Sequence, residues 1–222
     1  RALPGGLGSR GGRSNSSNEP PAGSASAAVR AKRSATFTTR ARRTLRLPGG
    51  TLVAHVGQTA YYKNIDGILE TLSLLDKSVQ LVRAGPLFQP AQRLLASRLG
   101  VLDRVHELGP ISKTHLIQLY QAADLLLYPS WYEGQGLPPL EAMACKLPVV
   151  VSDRGALPET VGDAALVVDP SSPERISSAV AQVLNNPELR ARLQTAGLER
   201  AARFRWETTA AKTLEAYQAL QV

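Results

Sequence analysis

The chain is poor in cysteine, in aromatic residues and in long apolar runs. Its one cysteine, Cys145, excludes an internal disulfide and a cysteine-clustered zinc site, so nothing in the composition argues for an oxidising compartment. No stretch reaches the ~18 consecutive apolar residues that a membrane helix requires. We therefore expect a cytoplasmic protein, in which any membrane contact is peripheral and at the inner face.

Acidic residues are nearly missing from the first fifty positions. That segment holds ten Lys and Arg and one acid, Glu19, whereas residues 51–222 hold 16 basic and 17 acidic residues. The net charge of +8 therefore comes entirely from the front of the chain. Because this segment is rich in Gly, Ser, Ala and Arg and has Phe37 as its only aromatic residue, it offers too little apolar surface for a core. We expect residues 1–46 to be disordered.

Three uses of this basic segment compete with a simple linker or the edge of a gene fragment. An Arg- and Ser-rich start is similar to an organelle-targeting peptide, but it lacks an amphipathic stripe. An arm that binds anionic surfaces would show steeply salt-dependent binding. An arm for nucleic acid would carry interleaved aromatic residues beside a folded reader, and neither is present. No nucleic-acid partner is expected.

From Thr51 onward, short apolar runs alternate with longer periodic segments, which predicts one α/β domain over residues 47–222. The expected fold is a Rossmann-like open parallel sheet with helices on both faces, followed by C-terminal helices. The predicted strands are Leu52–Val56, Val79–Arg83, Val105–Leu108, Leu125–Tyr128, Val149–Ser152 and Ala165–Val168. The predicted helices are Ile65–Leu75, Ala91–Leu99, Lys113–Ala122 and Pro138–Ala144, followed by Pro173–Leu184, Pro187–Arg203 and Glu207–Leu220.

In open parallel sheets, ligands bind outside the carboxyl ends of the strands, and the most informative stretch follows one of these ends. It is the strand-to-helix connection PSWYEGQGLPPLEAMA, residues 129–144. Gly134 and Gly136 let the backbone approach a ligand closely. Pro138 and Pro139 start a helix where backbone amides have no intrahelical partner, and such amides favour phosphate.

Two carboxylates flank this turn, Glu133 before the glycines and Glu141 in what is predicted to be the first helical turn. Carboxylates accept paired hydrogen bonds from neighbouring hydroxyl groups, which ribose and hexose both offer. Phosphate at the amides with a sugar at each end describes a nucleotide sugar. The alternative is that Glu141 only complements the helix dipole and Glu133 is an ordinary loop charge.

The stretch EGQGLPPLEAMACKLPVVVSDRGALPE resembles the signature of the retaining glycosyltransferases of family 4, the group 1 glycosyltransferases with the GT-B fold. The resemblance runs from about Thr51 to Tyr217. It implies that Glu141 holds the ribose of the donor and that Glu133 faces the transferred sugar. It also implies that the amides of Gly134, Gln135, Gly136 and Leu137 approach the diphosphate and sugar.

The first strand ends in HVGQ and continues to YYKN, which resembles the Gly-rich first loop of that family and its phosphate-binding lysine. By this resemblance, Gly57 admits the phosphates and Lys63 neutralises charge on the departing nucleoside diphosphate. Gln58 stands where many members of the family carry an arginine. His55 has no neighbouring acid or nucleophile, and we interpret it as structural. The predicted catalytic residues are thus Glu133 and Lys63, and the predicted donor-binding residues add Gly57, Gln58, Gly134, Gln135, Gly136, Leu137 and Glu141.

The family pairs two Rossmann-like domains, and the resemblance covers only the C-terminal, nucleotide-sugar-binding one. We therefore expect the donor-binding half of an enzyme that moves a hexose from a UDP- or GDP-sugar to a saccharide or lipid acceptor, with an N-terminal acceptor domain as its missing partner. A catalytically inactive nucleotide-sugar-binding module, from a truncated gene product, is the alternative. No cofactor and no metal are expected, since no Asp-x-Asp pair is placed to hold a cation against phosphates.

Overall fold

The computed structural model describes residues 35–220. Within them, a six-stranded parallel sheet lies between two layers of helices, which confirms the predicted fold class. The strands are β1 Thr51–Val56, β2 Val79–Ala84, β3 Val105–Glu107, β4 Leu125–Tyr128, β5 Val149–Ser152 and β6 Leu166–Val168. The helices are α1 Ala35–Thr44, α2 Ile65–Leu74, α3 Pro90–Arg98, α4 Lys113–Ala122, α5 Leu137–Ala144, α6 Leu157–Val161, α7 Pro173–Asn185, α8 Pro187–Ala202 and α9 Trp206–Ala219.

The sheet has the strand order β3-β2-β1-β4-β5-β6, and every adjacent pair is parallel. The chain first adds strands on one side of β1 and then crosses to the other side, so the order reverses between β1 and β4. At such a switch point the connections leave in opposite directions and open a crevice at the carboxyl ends of the strands. This crevice is where the fold offers a binding site.

A separate hydrophobic core lies on each face of the sheet. One core joins β-strand side chains such as Val53, Leu81 and Leu127 to α2 and α7, and the other joins Leu52 and Leu126 to α4 and α5. Successive residues of β1 therefore point into different cores, as the period of two in a strand requires. Because both faces are covered, the central strands read as continuous apolar runs rather than alternating ones.

The front of the domain differs from the sequence prediction. Residues 1–34 lie outside the described residues, but α1 occupies much of the remaining segment that was predicted to be disordered, and that part of the prediction is wrong. Ala41 is buried against α4, and the Arg42 guanidinium donates to the carbonyl oxygens of Ala122 at 3.2 Å and Gly50 at 2.8 Å and pairs with Asp124 at 3.1 Å. A cation near the C-terminus of a helix donates to the last carbonyl groups and interacts favourably with the helix dipole. Arg42 of α1 has this position at the end of α4, so α1 is held by charge as well as by packing.

Helix α9 stands apart from both cores. It contains no buried residue, and Trp206, Leu214, Tyr217 and the following Leu220 are all exposed. Helix α9 therefore presents apolar side chains that no other described residue buries. No helix within residues 35–220 combines the length and apolarity needed to cross a bilayer.

Candidate active site

The two loops that border the β1–β4 switch point carry the two residues predicted to be catalytic. After β1 the chain turns through a short 3-10 helix, Tyr61–Lys63, and then enters α2. After β4 it runs through residues 129–136 into α5. Lys63 and Glu133 come from these separate loops, 70 positions apart in the chain, and the sheet brings them together.

Lys63 and Glu133 form a nearly buried ion pair. The Lys63 Nζ donates to Glu133 Oε1 at 2.5 Å and to the Tyr128 hydroxyl at 2.6 Å. The two charged side chains are only 8% and 12% exposed. The ammonium also lies 4.7 Å from the Tyr128 ring centroid and 5.2 Å from that of Tyr62, within cation–π range of both. The site therefore holds a cation close to the crevice, partnered by a carboxylate and flanked by two aromatic rings.

Tyr128 lines the buried side of the Lys63–Glu133 ion pair, and its role was not predicted from the sequence. Its side chain is buried, and burial, followed by the nearby charge of Glu133, raises the pKa of its hydroxyl well above the usual value. The phenol therefore stays neutral and offers its oxygen to Lys63. Only the fact that Tyr128 ends a buried strand next to the PSWYEGQG loop could have indicated this role from sequence.

Asn64 fastens the two loops to each other, and it too was missed. Its backbone is left-handed, with φ 55°, and its side-chain amide donates to the carbonyl oxygens of Pro129 at 3.1 Å and Pro170 at 2.9 Å. The side-chain oxygen accepts from the amide of Gly67 and so caps α2. An Asn directly before an apolar helical pattern is an N-cap signal that the sequence does carry. The hydrogen bonds from Asn64 to the carbonyl groups of Pro129 and Pro170 leave no comparable signal in the sequence.

Gly57 and Gly85 bring the ends of β1 and β2 unusually close. A Cβ on Gly85 would lie 2.0 Å from the carbonyl oxygen of Gly57, so only glycine fits there. The buried Arg83 donates to that same oxygen at 2.8 Å and to the carbonyl of Pro86. A Cβ on Gly57 would in turn lie 3.3 Å from Lys63 Cε, which places Gly57 directly beside the lysine. Gln58, the next residue, is exposed.

His55 lies beneath this loop and is completely buried. Its ring stacks on that of Tyr128 with 6.2 Å between centroids, and neither ring nitrogen has a hydrogen-bond partner among the described residues. Burial, and then the positive charges of Arg83 and Lys63, hold the pKa of the imidazole well below its usual value. The ring is therefore neutral and closed off from solvent, in keeping with its interpretation as structural.

The turn before α5 has the shape that its glycines predict. Gly136 has φ 81° and stands at the N-cap of α5, where an added Cβ would lie 2.6 Å from the side chain of Leu157. The carbonyl of Glu133 accepts from the Ala156 amide at 3.0 Å, and that of Gln135 accepts from the Thr160 hydroxyl at 2.5 Å. These contacts fix the carbonyl groups of the turn against α6.

The opposite side of the same turn is open. Gly134, Gln135 and Leu137 are exposed, and in the part of the chain described here no hydrogen bond uses the amides of Gly134, Gln135 or Gly136 as donors. Three unused amides ahead of a helix N-terminus form a site that favours an anion. Gly134, Gln135 and Leu137 are therefore available for contact, whereas Gly136 is buried and Glu133 at the start of the loop is paired with Lys63.

Glu141 lies one residue further into α5 than the sequence predicted, just beyond the first turn. It is the fifth residue of the helix, and the first turn holds no acidic residue. Because the helix dipole acts mainly within the first turn, its complementation does not explain this carboxylate. Instead Glu141 Oε2 accepts a hydrogen bond of 3.0 Å from the Tyr120 hydroxyl of α4, and partial burial raises its pKa. Tyr120, 21 positions away, could not have been matched to it from sequence.

The raised pKa of Glu141 predicts a pH-dependent effect on stability. Because burial raises the pKa in the folded state, the carboxyl stabilises the fold below its unfolded pKa of about 4.3 and loses that contribution as pH rises through the folded value. Glu141→Gln removes the buried charge and keeps an acceptor for Tyr120. We expect its melting temperature to exceed that of the parent at pH 7 and to equal it near pH 4. An unchanged difference at the two pH values would contradict this, and the exposed Glu215→Gln is the control.

A cavity of ≈ 240 Å³ adjoins Glu141. It is lined by residues that include Lys113, Gln135, Leu137, Glu141, Phe204 and Trp206. Lys63 and Glu133 do not line it, so the cavity lies at the Glu141 end of the turn and the ion pair at the other end. Among residues 35–220, no cluster of three or more His, Cys, Asp or Glu side chains could hold a metal ion.

Comparison with known proteins identifies the family to which this fold belongs. The family described as "Glycosyl transferases group 1" matches residues 38–200, which include most of α1 and both loops of the switch point. The chain belongs to the group 1 glycosyltransferases. Its sequence is 37% identical over 177 residues to the O-antigen chain mannosyltransferase B of Escherichia coli, covering 75% of this chain and 45% of that protein.

A second curated relative is the D-inositol 3-phosphate glycosyltransferase of Corynebacterium glutamicum, 33% identical over 193 residues that cover 81% of this chain and 46% of that protein. Among solved structures, sucrose-phosphate synthase from Thermosynechococcus elongatus superimposes with a TM-score of 0.73 at 30% identity, over 82% of this chain and 48% of that one. The chain thus spans less than half the length of these relatives.

A second solved structure, itself a C-terminal domain, has the same fold. The C-terminal domain of the group 1 protein LpcC from Francisella tularensis superimposes with a TM-score of 0.65 at 22% identity, over 74% of this chain and 90% of that domain. This likeness concerns the fold. The group 1 glycosyltransferase described here therefore has the architecture of a GT-B C-terminal domain, in agreement with the sequence prediction.

Proposed function

We propose that this chain is the donor-binding half of a retaining glycosyltransferase of family 4, which transfers a hexose from a UDP- or GDP-sugar to a saccharide or lipid acceptor. The observation that carries the proposal is the Lys63–Glu133 pair at the β1–β4 switch point, with Glu141 at the other end of the same glycine turn. A relative with a mannosyltransferase name supports the hexose, and a neighbour from Anabaena solved with UDP-glucose supports the nucleotide.

The surroundings of each site residue favour a particular role in binding the donor. The diphosphate of the donor meets the free amides of Gly134, Gln135 and Gly136, with Leu137 next in the turn and Gly57 and Gln58 on the opposite loop. Lys63 exchanges part of its contact with Glu133 for the leaving phosphate, where a fixed cation stabilises the charge that develops as the glycosidic bond breaks. Glu133 is then free to accept from hydroxyl groups of the transferred sugar, and Glu141 accepts from the ribose.

A nucleotide-sugar-binding module without transferase activity is the second candidate. The chain spans less than half the length of each curated relative named above, so the transferase activity of the whole protein is itself part of the proposal. The two candidates agree on nucleotide binding and differ in transfer, which we expect only with an N-terminal acceptor domain present. In either case we propose a cytoplasmic location, with peripheral contact at the inner face of the membrane where the acceptor is a lipid.

Calorimetric titration tests the proposed donor site. The chain is titrated with UDP and GDP, and then with UDP-glucose and GDP-mannose, in the presence of EDTA because no metal is expected to be needed. One ribose-binding carboxylate makes charge-assisted hydrogen bonds, so we expect Glu141→Ala to weaken binding about 10- to 100-fold. The exposed Glu215→Ala serves as the control. The proposal fails if a folded sample binds none of these ligands, or if binding depends strictly on a divalent ion.

A further inference from the structure

Aromatic residues are scarce in this chain, yet they gather at the mouth of the candidate site. The sequence has 3 Phe, 6 Tyr and 2 Trp in all. Four of these eleven, Tyr61, Tyr62, Trp131 and Tyr132, stand immediately before Lys63 or Glu133 in the two loops of the switch point. We call these four residues the aromatic rim.

The rim is one surface and not two separate loops. The amide of Trp131 donates to the carbonyl oxygen of Tyr62 at 2.7 Å, which joins the two backbone segments directly. Asn64 ties the same two segments a second time through the carbonyl of Pro129. The rim is therefore held in place by the same contacts that hold Lys63 and Glu133.

The three tyrosines of the aromatic rim face solvent and Trp131 is half-buried, unlike the fully buried Tyr128 on the inner side of the lysine. Tyr61 is 85% exposed, Tyr62 41% and Tyr132 66%. Lys63 lies between the rings of Tyr62 and Tyr128, so Tyr62 covers its outer side. Large aromatic side chains left exposed next to a polar crevice are costly unless a ligand or partner covers them.

We propose that the aromatic rim is a saccharide-binding subsite for the acceptor, next to the sugar that is transferred. A pyranose ring has an apolar face of C–H groups, which packs on the electron-rich face of an aromatic ring, while its hydroxyl groups bind polar neighbours. The rim supplies the rings, and the Lys63–Glu133 pair supplies polar groups at its inner edge. This inference rests on the proposed function, and it assigns part of acceptor recognition to this half of the protein.

The chain offers a fluorescence reporter for this subsite. Trp131 and Trp206 are its only tryptophans, so Trp206→Phe leaves Trp131 as the sole tryptophan. In that background we titrate α-1,2-mannobiose, α-1,3-mannobiose, maltose and cellobiose, each with and without UDP or GDP. We expect a saturable change in Trp131 emission with at least one disaccharide. Tyr61→Ala and Tyr132→Ala should each weaken this binding about two- to tenfold, the worth of one aromatic contact.

Controls separate this inference from the function on which it rests. Tyr217→Ala removes an exposed tyrosine of α9, and we expect it to leave saccharide affinity unchanged. Calorimetry should show the same nucleoside diphosphate affinity in Tyr61→Ala, Tyr132→Ala and the parent. If the parent binds nucleotide but no disaccharide up to the solubility limit, or if the rim variants bind saccharide as the parent does, the subsite is overturned and the donor site stands.

Nucleotide sugars distinguish the acceptor from the donor as the source of the bound ring. A change in Trp131 emission with UDP-glucose or GDP-mannose, but with neither UDP, GDP nor any free disaccharide, would mean that the rim packs on the sugar of the donor. That result would overturn the assignment to the acceptor. If no nucleotide binds at all while disaccharides do, the proposed donor site fails and the saccharide subsite remains.

Discussion

Replacing Lys63 with methionine is expected to lower the free energy of unfolding by about 3 kcal/mol, the usual cost of leaving one partner of a buried ion pair without the other. Methionine keeps the length of the side chain, but the 12% exposed Glu133 would lose its only cationic partner among the described residues. Urea denaturation measures the change. Lys77→Met, at an exposed lysine, is the matched control and should change stability by less than about 0.5 kcal/mol.

A double variant separates the charge from the packing. Lys63→Met combined with Glu133→Gln replaces the ion pair with two neutral side chains of similar size, so we expect most of the lost stability to return. Nucleoside diphosphate binding should not return, because the cation is still missing. Its affinity is expected to fall about 10- to 100-fold in both variants, the range for a charged hydrogen bond. A double variant as unstable as the single one would show that Lys63 acts by packing and not by charge.

Much of this site follows from sequence because parallel sheets bring the carboxyl ends of their strands to one edge. The resemblance of HVGQ and YYKN to a phosphate-binding loop predicts Lys63, and the pair of carboxylates that flank the glycine turn after β4 predicts Glu133. Their contact at 2.5 Å then depends only on β1 and β4 being neighbours, which the strand order provides. The glycines of the turn were likewise predictable, since positive φ at Gly136 favours glycine.

The parts that sequence did not reveal depend on contacts between distant positions. Arg42 looked like one more charge in a disordered basic segment, because its acceptors at Ala122 and Asp124 lie about eighty residues away. Glu141 was placed in the first turn of α5 because the prolines suggested a later start, whereas the helix begins at Leu137. The first error arises because the partners of Arg42 belong to other elements, and the second because the helix begins one residue before its prolines.

Gly85 and Gly57 approach each other closely where two strand ends meet beneath the lysine loop. Gly85 has φ 137°, and its missing Cβ would lie 2.0 Å from the carbonyl oxygen of Gly57. The same oxygen accepts from Arg83 at 2.8 Å, and the amide of Gly85 donates to the carbonyl of Gly109 at 3.0 Å. Neither backbone segment can move without breaking one of these bonds, so the approach holds the Gly57 loop in place.

Gly85→Ala is therefore expected to lower the free energy of unfolding by about 3–5 kcal/mol, since it adds backbone strain to a contact that cannot relax. Gly100→Ala is the matched control, because Gly100 also has positive φ but has nothing within 4 Å of an added Cβ. It should cost only about 1–2 kcal/mol. If both variants lose the same stability, backbone conformation alone explains the glycines. If Gly85→Ala loses more and the surviving folded protein binds nucleoside diphosphate more weakly, the close approach positions the loop that carries Lys63.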